Sequence, residues 1–326
     1  MYYPPMIKKG DTIGICAPSA GIGRDLESYI RSRKLFEQAG FQIKETASVR
    51  NDAEPSNTGE IRGEEFNSLM KDKEVKMIIA AAGGSFNYEM LPYVDDELIK
   101  NNPKWVMGFS DPTFLTYYIT CKFDIASFYG KNALFLDFPI KHRTTSEAFD
   151  IIQGKNIIQK SYDFYEKERD YESIGCNLDT PVYWELYHAK ELDCKGRLIG
   201  GCIDVISNMI GTPFDCTKDY MDRYEDIIWY FDVFSYEAEN LYLLMLQMKH
   251  CGYFKKAKAV IFGRVLMKGF SKDETYVELL KKCFDIPFLM NVDIGHVRPS
   301  MTVINGAVIH LTCKHGKGEI SFEMNE

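Results

Sequence analysis

Short, unbroken apolar runs, each followed by a turn and then by residues at helical spacing, constrain this chain more than any other feature. Thr12-Ile-Gly-Ile-Cys-Ala17, Val75-Lys-Met-Ile-Ile-Ala-Ala-Ala82 and Trp105-Val-Met107 suit strands buried on both faces. Such strands belong to a mostly parallel sheet with helices on each side. The intervening segments fit that reading. Residues 26–39 repeat apolar side chains at helical spacing (Tyr29, Ile30, Leu35, Phe36) and stop at Gly40, and 59–71 is charged and amphipathic. Residues 41–45 alternate as a strand, and 124–128 read as another, ending at Tyr129-Gly130-Lys131-Asn132. In sheets of this kind sites gather at the carboxyl ends of strands, where Ser19, Gly83-Gly84, Ser110 and Asn132 are expected.

The pattern changes near 140–195. Lys141-His-Arg-Thr-Thr-Ser146 is polar, and 161–179 is rich in Tyr, Asp, Glu and Lys with little periodicity. This predicts a crossing between two domains, 1–165 and 166–326, the second a smaller α/β domain. A chain of 326 residues with 45% hydrophobic content is large enough for two cores. Beyond the crossing, helices are predicted at 202–210, 237–250 and 274–283, with strands at 227–231 and 257–262.

Charge and cysteine usage exclude several functions. A net charge of -8 and a pI near 5.4 argue against a nucleic-acid polymer as partner. The nine cysteines are scattered without a C-x-x-C pair, so neither a disulfide framework nor a zinc site follows, and no metal or other cofactor is expected. The first residues, Met1-Tyr-Tyr-Pro-Pro, lack the apolar core of a signal peptide, and no apolar run is long enough to span a bilayer. A cytoplasmic protein without a membrane partner is the expectation.

The stretch Lys104 to Tyr118 concentrates chemical interest. Trp105-Val106-Met107 leads through Gly108 to Ser110, after which Asp111 suits a helix N-cap and Pro112 a first helical position. A serine between a buried strand and a helix start has its hydroxyl held out at the strand's end, beside free N–H groups. That is the geometry of a nucleophile elbow. An ordinary polar β–α turn fits the same residues. Two further polar residues end buried runs: Asp232 follows Ile227-Ile-Trp-Tyr-Phe231, and His296 follows Asp293-Ile-Gly295. A serine needs an imidazole to take its proton, and the imidazole needs a carboxylate to fix its tautomer. By position alone, Asp232 equally suits a satisfied strand-end carboxylate and His296 a loop histidine.

Taken together, these motifs resemble the LD-carboxypeptidase family of serine peptidases (S66), most closely its microcin C immunity branch. The likeness rests on Ile7-Lys-Lys-Gly-Asp-Thr-Ile-Gly-Ile-Cys-Ala-Pro-Ser19, Gly83-Gly84, Gly108-Phe-Ser-Asp111, Phe128-Tyr-Gly130 with Asn132, Leu198-Ile-Gly-Gly-Cys202 with Ile210-Gly-Thr212, Ile227-Ile-Trp229, Gly263-Arg264 and Asp293-Ile-Gly-His296. The resemblance implies a flavodoxin- or Rossmann-like N-terminal domain bearing the nucleophile, and a C-terminal domain bearing the acid and the histidine. The active site is then expected at the interface, within a homodimer. Ser110 is implied as nucleophile, His296 as general base, and the N–H groups of Asp111 and Gly84 as the oxyanion hole.

Two departures stand out. The family's acid is usually a glutamate, whereas this chain has Asp232, one methylene shorter; Glu237 and Glu239 are alternatives if the next helix folds back. The arginine before the double glycine is replaced by Ala82. The resemblance implies one of two substrates: an LD-murein peptide trimmed during wall recycling, or a microcin C-like aminoacyl nucleotide. Trp184 is a candidate aromatic platform or a packing residue; Arg264 is a candidate carboxylate ligand or an interface pin; Gly83 and Asn132 are further candidates for substrate contact. A catalytically weakened binding protein on the same scaffold is the alternative. An α/β-hydrolase esterase is disfavoured, because Pro112 occupies the place of the last glycine in G-x-S-x-G.

Overall fold

In the first half of the chain the continuous apolar runs form the centre of a sheet. The structure, a computed structural model, describes residues 1–135, 142–155, 158–168 and 176–324. The chain divides into two compact units, Met1–Lys155 and Asn156–Glu326. Lys141 and residues 169–175, part of the predicted crossing, lie outside the described residues.

The first unit runs β1 (Thr12–Cys16), α1 (Leu26–Gln38), β2 (Gln42–Glu45), α2 (Gly59–Lys71), β3 (Val75–Ala80), α3 (Asp96–Asn101), β4 (Trp105–Gly108), α4 (Thr113–Phe123), β5 (Ser127–Tyr129) and α5 (Arg143–Ile152). Its five strands pair in the order β5-β4-β3-β1-β2, all parallel. The order reverses direction between β1 and β3, which is where flavodoxin-like sheets open a ligand crevice at their carboxyl ends. Ser19 follows β1 and Gly83-Gly84 follows β3, so the sequence motifs flank this switch point.

Local chemistry explains the helix bounds. Thr58 accepts the Ile61 N–H at 3.3 Å and starts α2. At the other end of α2 the Lys104 ammonium donates to the carbonyls of Leu69 (2.8 Å) and Asp72, satisfying acceptors the helix leaves over. Burial pulls the Lys104 pKa down to about 8, against the opposing charge of Asp72. α4 is buried from Thr113 to Cys121, as a helix without a polar stripe must be. Its N-cap position is Pro112 with no side-chain cap; Asp111 does not fill the role the sequence suggests. Its carboxylate instead accepts the Asn87 N–H at 2.7 Å.

The second unit takes in slightly more of the chain than the first, not less. It runs β6 (Ile158–Lys160), β7 (Phe164–Tyr165), β8 (Thr180–Pro181), β9 (Glu185–Tyr187), β10 (Leu192–Cys202), α6 (Ile203–Met209), α7 (Thr217–Arg223), β11 (Ile227–Asp232), α8 (Ala238–His250), β12 (Ala257–Gly263), α9 (Asp273–Cys283), β13 (Phe288–Val292), β14 (Val303–Asn305), β15 (Val308–Lys314) and β16 (Lys317–Glu323). Eight strands pair in the order β6-β16-β15-β10-β11-β12-β13-β9. The central four, β10 to β13, are parallel, and the flanks are antiparallel. The parallel centre again aligns strand ends: β11 ends at Asp232, and β13 runs directly into the loop carrying His296. Among the described residues no helix is long and apolar enough to cross a membrane.

Candidate active site

In the first unit, Ser110 sits between β4 and α4 with φ +64°, in the left-handed region. A non-glycine residue there costs roughly 1–3 kcal/mol and persists only where its surroundings enforce it. Here they do. Asn132, fully buried, accepts the Phe109 N–H on Oδ1 at 3.0 Å and donates from Nδ2 to the Phe109 carbonyl at 3.2 Å. The Ser110 N–H donates to the Tyr129 hydroxyl at 3.4 Å. Asn132 therefore clamps the turn through its amide. Asn132→Ala removes both side-chain contacts that hold the Phe109 backbone, so we expect it to lower unfolding free energy by about 1–3 kcal/mol in urea titration.

The double glycine lies against this turn. A Cβ placed on Gly83 would sit 3.3 Å from both Cβ and Oγ of Ser110. Gly84 has φ +142°, and a side chain there would overlap Ser19 Oγ. Ser19 is fully buried and accepts the Phe86 N–H at 3.1 Å. Burial raises the Asp111 carboxyl above its ordinary range, opposed by hydrogen bonds from the Ser19 hydroxyl and the Asn87 N–H. Among the described residues neither the Asp111 nor the Gly84 N–H is engaged by another backbone group. Arg62, which sequence reasoning passed over as one charge on an amphipathic helix, is buried here. It donates to the carbonyls of Pro18 and Phe86 (both 2.7 Å) and to Glu89 (2.8 Å), tying together the loops after β1 and β3.

In the second unit, the carboxylate that meets His296 is Asp232. Its Oδ2 lies 2.7 Å from His296 Nδ1, and its Oδ1 accepts the His296 N–H at 3.2 Å. Both residues are buried. Glu237 packs against Gly269 instead, and Glu239 is exposed. Gly295, with φ +107°, is required twice over: a Cβ there would overlap the Asp232 carboxylate. The Phe234 ring covers the imidazole at a centroid distance of 4.7 Å. Asp204 holds the turn that carries this ring, accepting the N–H groups of Phe234 and Ser235, each at 2.9 Å.

Beneath the His296 loop lies a buried anchor. Asp293 accepts from the Trp184 indole (2.9 Å), the Tyr162 N–H (3.1 Å) and Arg264 Nη2 (2.5 Å). The Arg264 guanidinium also stacks 4.2 Å from the Tyr165 ring centroid. Trp184 is fully buried, with Gly318 packed on its ring, so it is a packing residue and no aromatic platform. Arg264 is 4% exposed and pins the loop rather than lining an open surface.

Cys202 was invisible to spacing. It ends β10, opposite Asp232 in the parallel ladder, and its Sγ lies with the Asp232 and His296 ligand atoms inside a 4.8 Å cluster. A separate cavity of about 850 Å³ in this unit is lined by Lys160, Lys314, Glu191 and Glu319 among others, whose charges pair with one another.

A parallel sheet with a strained serine turn, and a buried acid–histidine couple at the end of a second parallel run, define the hydrolase-like class to which comparison with known proteins can be put. The chain belongs to the LD-carboxypeptidase family: its N-terminal domain model matches residues 13–130 and its C-terminal domain model residues 195–311. The microcin C7 self-immunity protein MccF of Escherichia coli is 27% identical over 315 residues, covering 90% of this chain and 88% of that protein. The solved structure of MccF in complex with aspartyl sulfamoyl adenosine aligns with a TM-score of 0.83 at 22% identity, over 99% of each chain. A muramoyltetrapeptide carboxypeptidase from Oxalobacter formigenes aligns with a TM-score of 0.75 at 19% identity, over 95% of this chain and 98% of that one. These structures share the fold.

Proposed function

We propose that the protein is a serine carboxypeptidase or amidase that hydrolyses an amide bond through Ser110, His296 and Asp232. The observation that carries this reading is the buried contact of 2.7 Å between Asp232 and His296 Nδ1. A carboxylate so placed keeps the Nδ1 proton on its own side of the ring, leaving Nε2 to take the Ser110 proton as the hydroxyl attacks the carbonyl. The same carboxylate then stabilises the imidazolium, which returns the proton to the leaving amine. The N–H groups of Gly84 and Asp111 receive the oxyanion; each such donor is worth roughly 2.7–4 kcal/mol. The one-methylene shortening from glutamate does not separate the pair, since carboxylate and ring meet directly.

Two substrates fit the family. MccF is seen with aspartyl sulfamoyl adenosine, and the Oxalobacter relative is named for a muramoyltetrapeptide. We assign this chain to the same pair of classes, an aminoacyl nucleotide or an LD-murein peptide, and to a cytoplasmic homodimer on the strength of the family resemblance.

A fluorophosphonate probe tests the nucleophile. Labelling is expected at Ser110, absent in Ser110→Ala and slowed in His296→Ala; equal labelling of all three proteins removes the assignment. Assay of the purified protein against a murein tetrapeptide and an aminoacyl-sulfamoyl adenosine, side by side, decides the substrate. Turnover of neither substrate would favour a binding protein on the same scaffold.

A further inference from the structure

Cys202, Asp232 and His296 bring three kinds of ligand atom, a thiol, a carboxylate and an imidazole, to one buried point. All three are buried, and one donor atom from each falls inside the 4.8 Å cluster. They are fixed by different parts of the fold. Cys202 and Asp232 face each other across neighbouring parallel strands, and His296 arrives on the loop after β13. With bonds of about 2.0–2.1 Å to nitrogen and oxygen and 2.3 Å to sulfur, a tetrahedral shell separates its donors by about 3.3–3.6 Å. The Asp232–His296 contact of 2.7 Å must therefore open by a fraction of an ångström to admit the ion.

We propose that these three residues form an inhibitory site for a thiophilic divalent cation of the zinc class, bound between the acid and the imidazole. Metal–sulfur, metal–oxygen and metal–nitrogen bonds form. The S–H bond breaks and its proton leaves to solvent; the Nδ1 proton is exchanged through water for one on Nε2, so the ring stays neutral. The dication, the thiolate and the carboxylate then sum to zero charge, which suits a buried position. Soft sulfur with imidazole selects zinc over magnesium or calcium. Occupation inverts the tautomer that the carboxylate otherwise enforces. Nε2 then carries hydrogen and has no lone pair for the Ser110 proton. Only this inhibitory consequence rests on the hydrolase reading; the binding site does not.

The test uses the purified full-length protein with Co²⁺ as a spectroscopic probe and Zn²⁺ as competitor. The wild type is expected to develop a near-ultraviolet thiolate-to-cobalt absorption band that Zn²⁺ removes. Cys202→Ser abolishes the band while keeping metal-free turnover. Losing an outer partner of a metal site already weakens affinity by about 10–100-fold, so loss of a direct ligand should raise the half-inhibiting Zn²⁺ concentration by at least about tenfold. Cys202→Val, a buried apolar replacement, serves the same purpose should the serine variant fail to fold. A band that survives both substitutions, no band in the wild type, or equal zinc inhibition of wild type and variant would overturn the proposal. If the protein hydrolyses neither substrate, the cobalt band still decides the site, and the failure lies with the activity alone.

Discussion

Asp232→Asn is expected to lower kcat by about 10⁴-fold while leaving the protein folded. The amide is nearly the same size as the carboxylate, so the packing against Gly295 is retained. The His296 N–H still finds an oxygen at Oδ1, the acceptor it uses at 3.2 Å. What changes is the group facing Nδ1. An amide NH₂ donates, so the ring must turn its lone pair to Nδ1 and its hydrogen to Nε2, and the base is disabled. The carboxylate's stabilisation of the imidazolium is lost as well. Glu237→Gln, in a side chain that packs at Gly269, should leave kcat within a few-fold. Steady-state kinetics of the two variants decide between the acids, and a larger fall for Glu237→Gln would show that Asp232 is not the partner in catalysis.

Ser110→Ala carries the largest expected effect, a fall in kcat of about 10⁶-fold, the scale on which a triad loses its activity when its nucleophile is removed. Substrate affinity should hold, because the turn is clamped through backbone contacts from Asn132 and Tyr129 and not through the serine hydroxyl. Alanine at φ +64° is about as strained as serine, so stability should change little. Binding measured by calorimetry, beside single-turnover kinetics, separates the two quantities. Residual hydrolysis at wild-type rate would mean that another group attacks the carbonyl.

Much of the first unit was legible because its strands are buried on both faces and announce themselves as continuous apolar runs. The charged, amphipathic pattern of 59–71 was equally clear, and that segment forms the helix Gly59–Lys71. The second unit was harder. β10 holds Gly196, Gly200 and Gly201 among charged residues, a composition unlike a central strand, and the antiparallel flanks give only weak alternation. Asp111 misled as a cap because a local motif cannot reveal that Asn87, far along the chain, presents its N–H to the same carboxylate. Trp184 left two readings open, platform or packing residue, and its full burial with the indole bonded to Asp293 decides for packing. Ser110, Asp232 and His296 stood out because each closes an apolar run. Cys202 did not, because its place is set by strand register with Asp232 and not by any spacing along the chain.

The close approach of Gly295 to Asp232 ties the histories of two positions together. A side chain at 295 would overlap the carboxylate at 232, so the loop can carry only glycine there while the acid stays in place. Engineers who place a side chain at 295 must therefore redesign its contact with residue 232 in the same step.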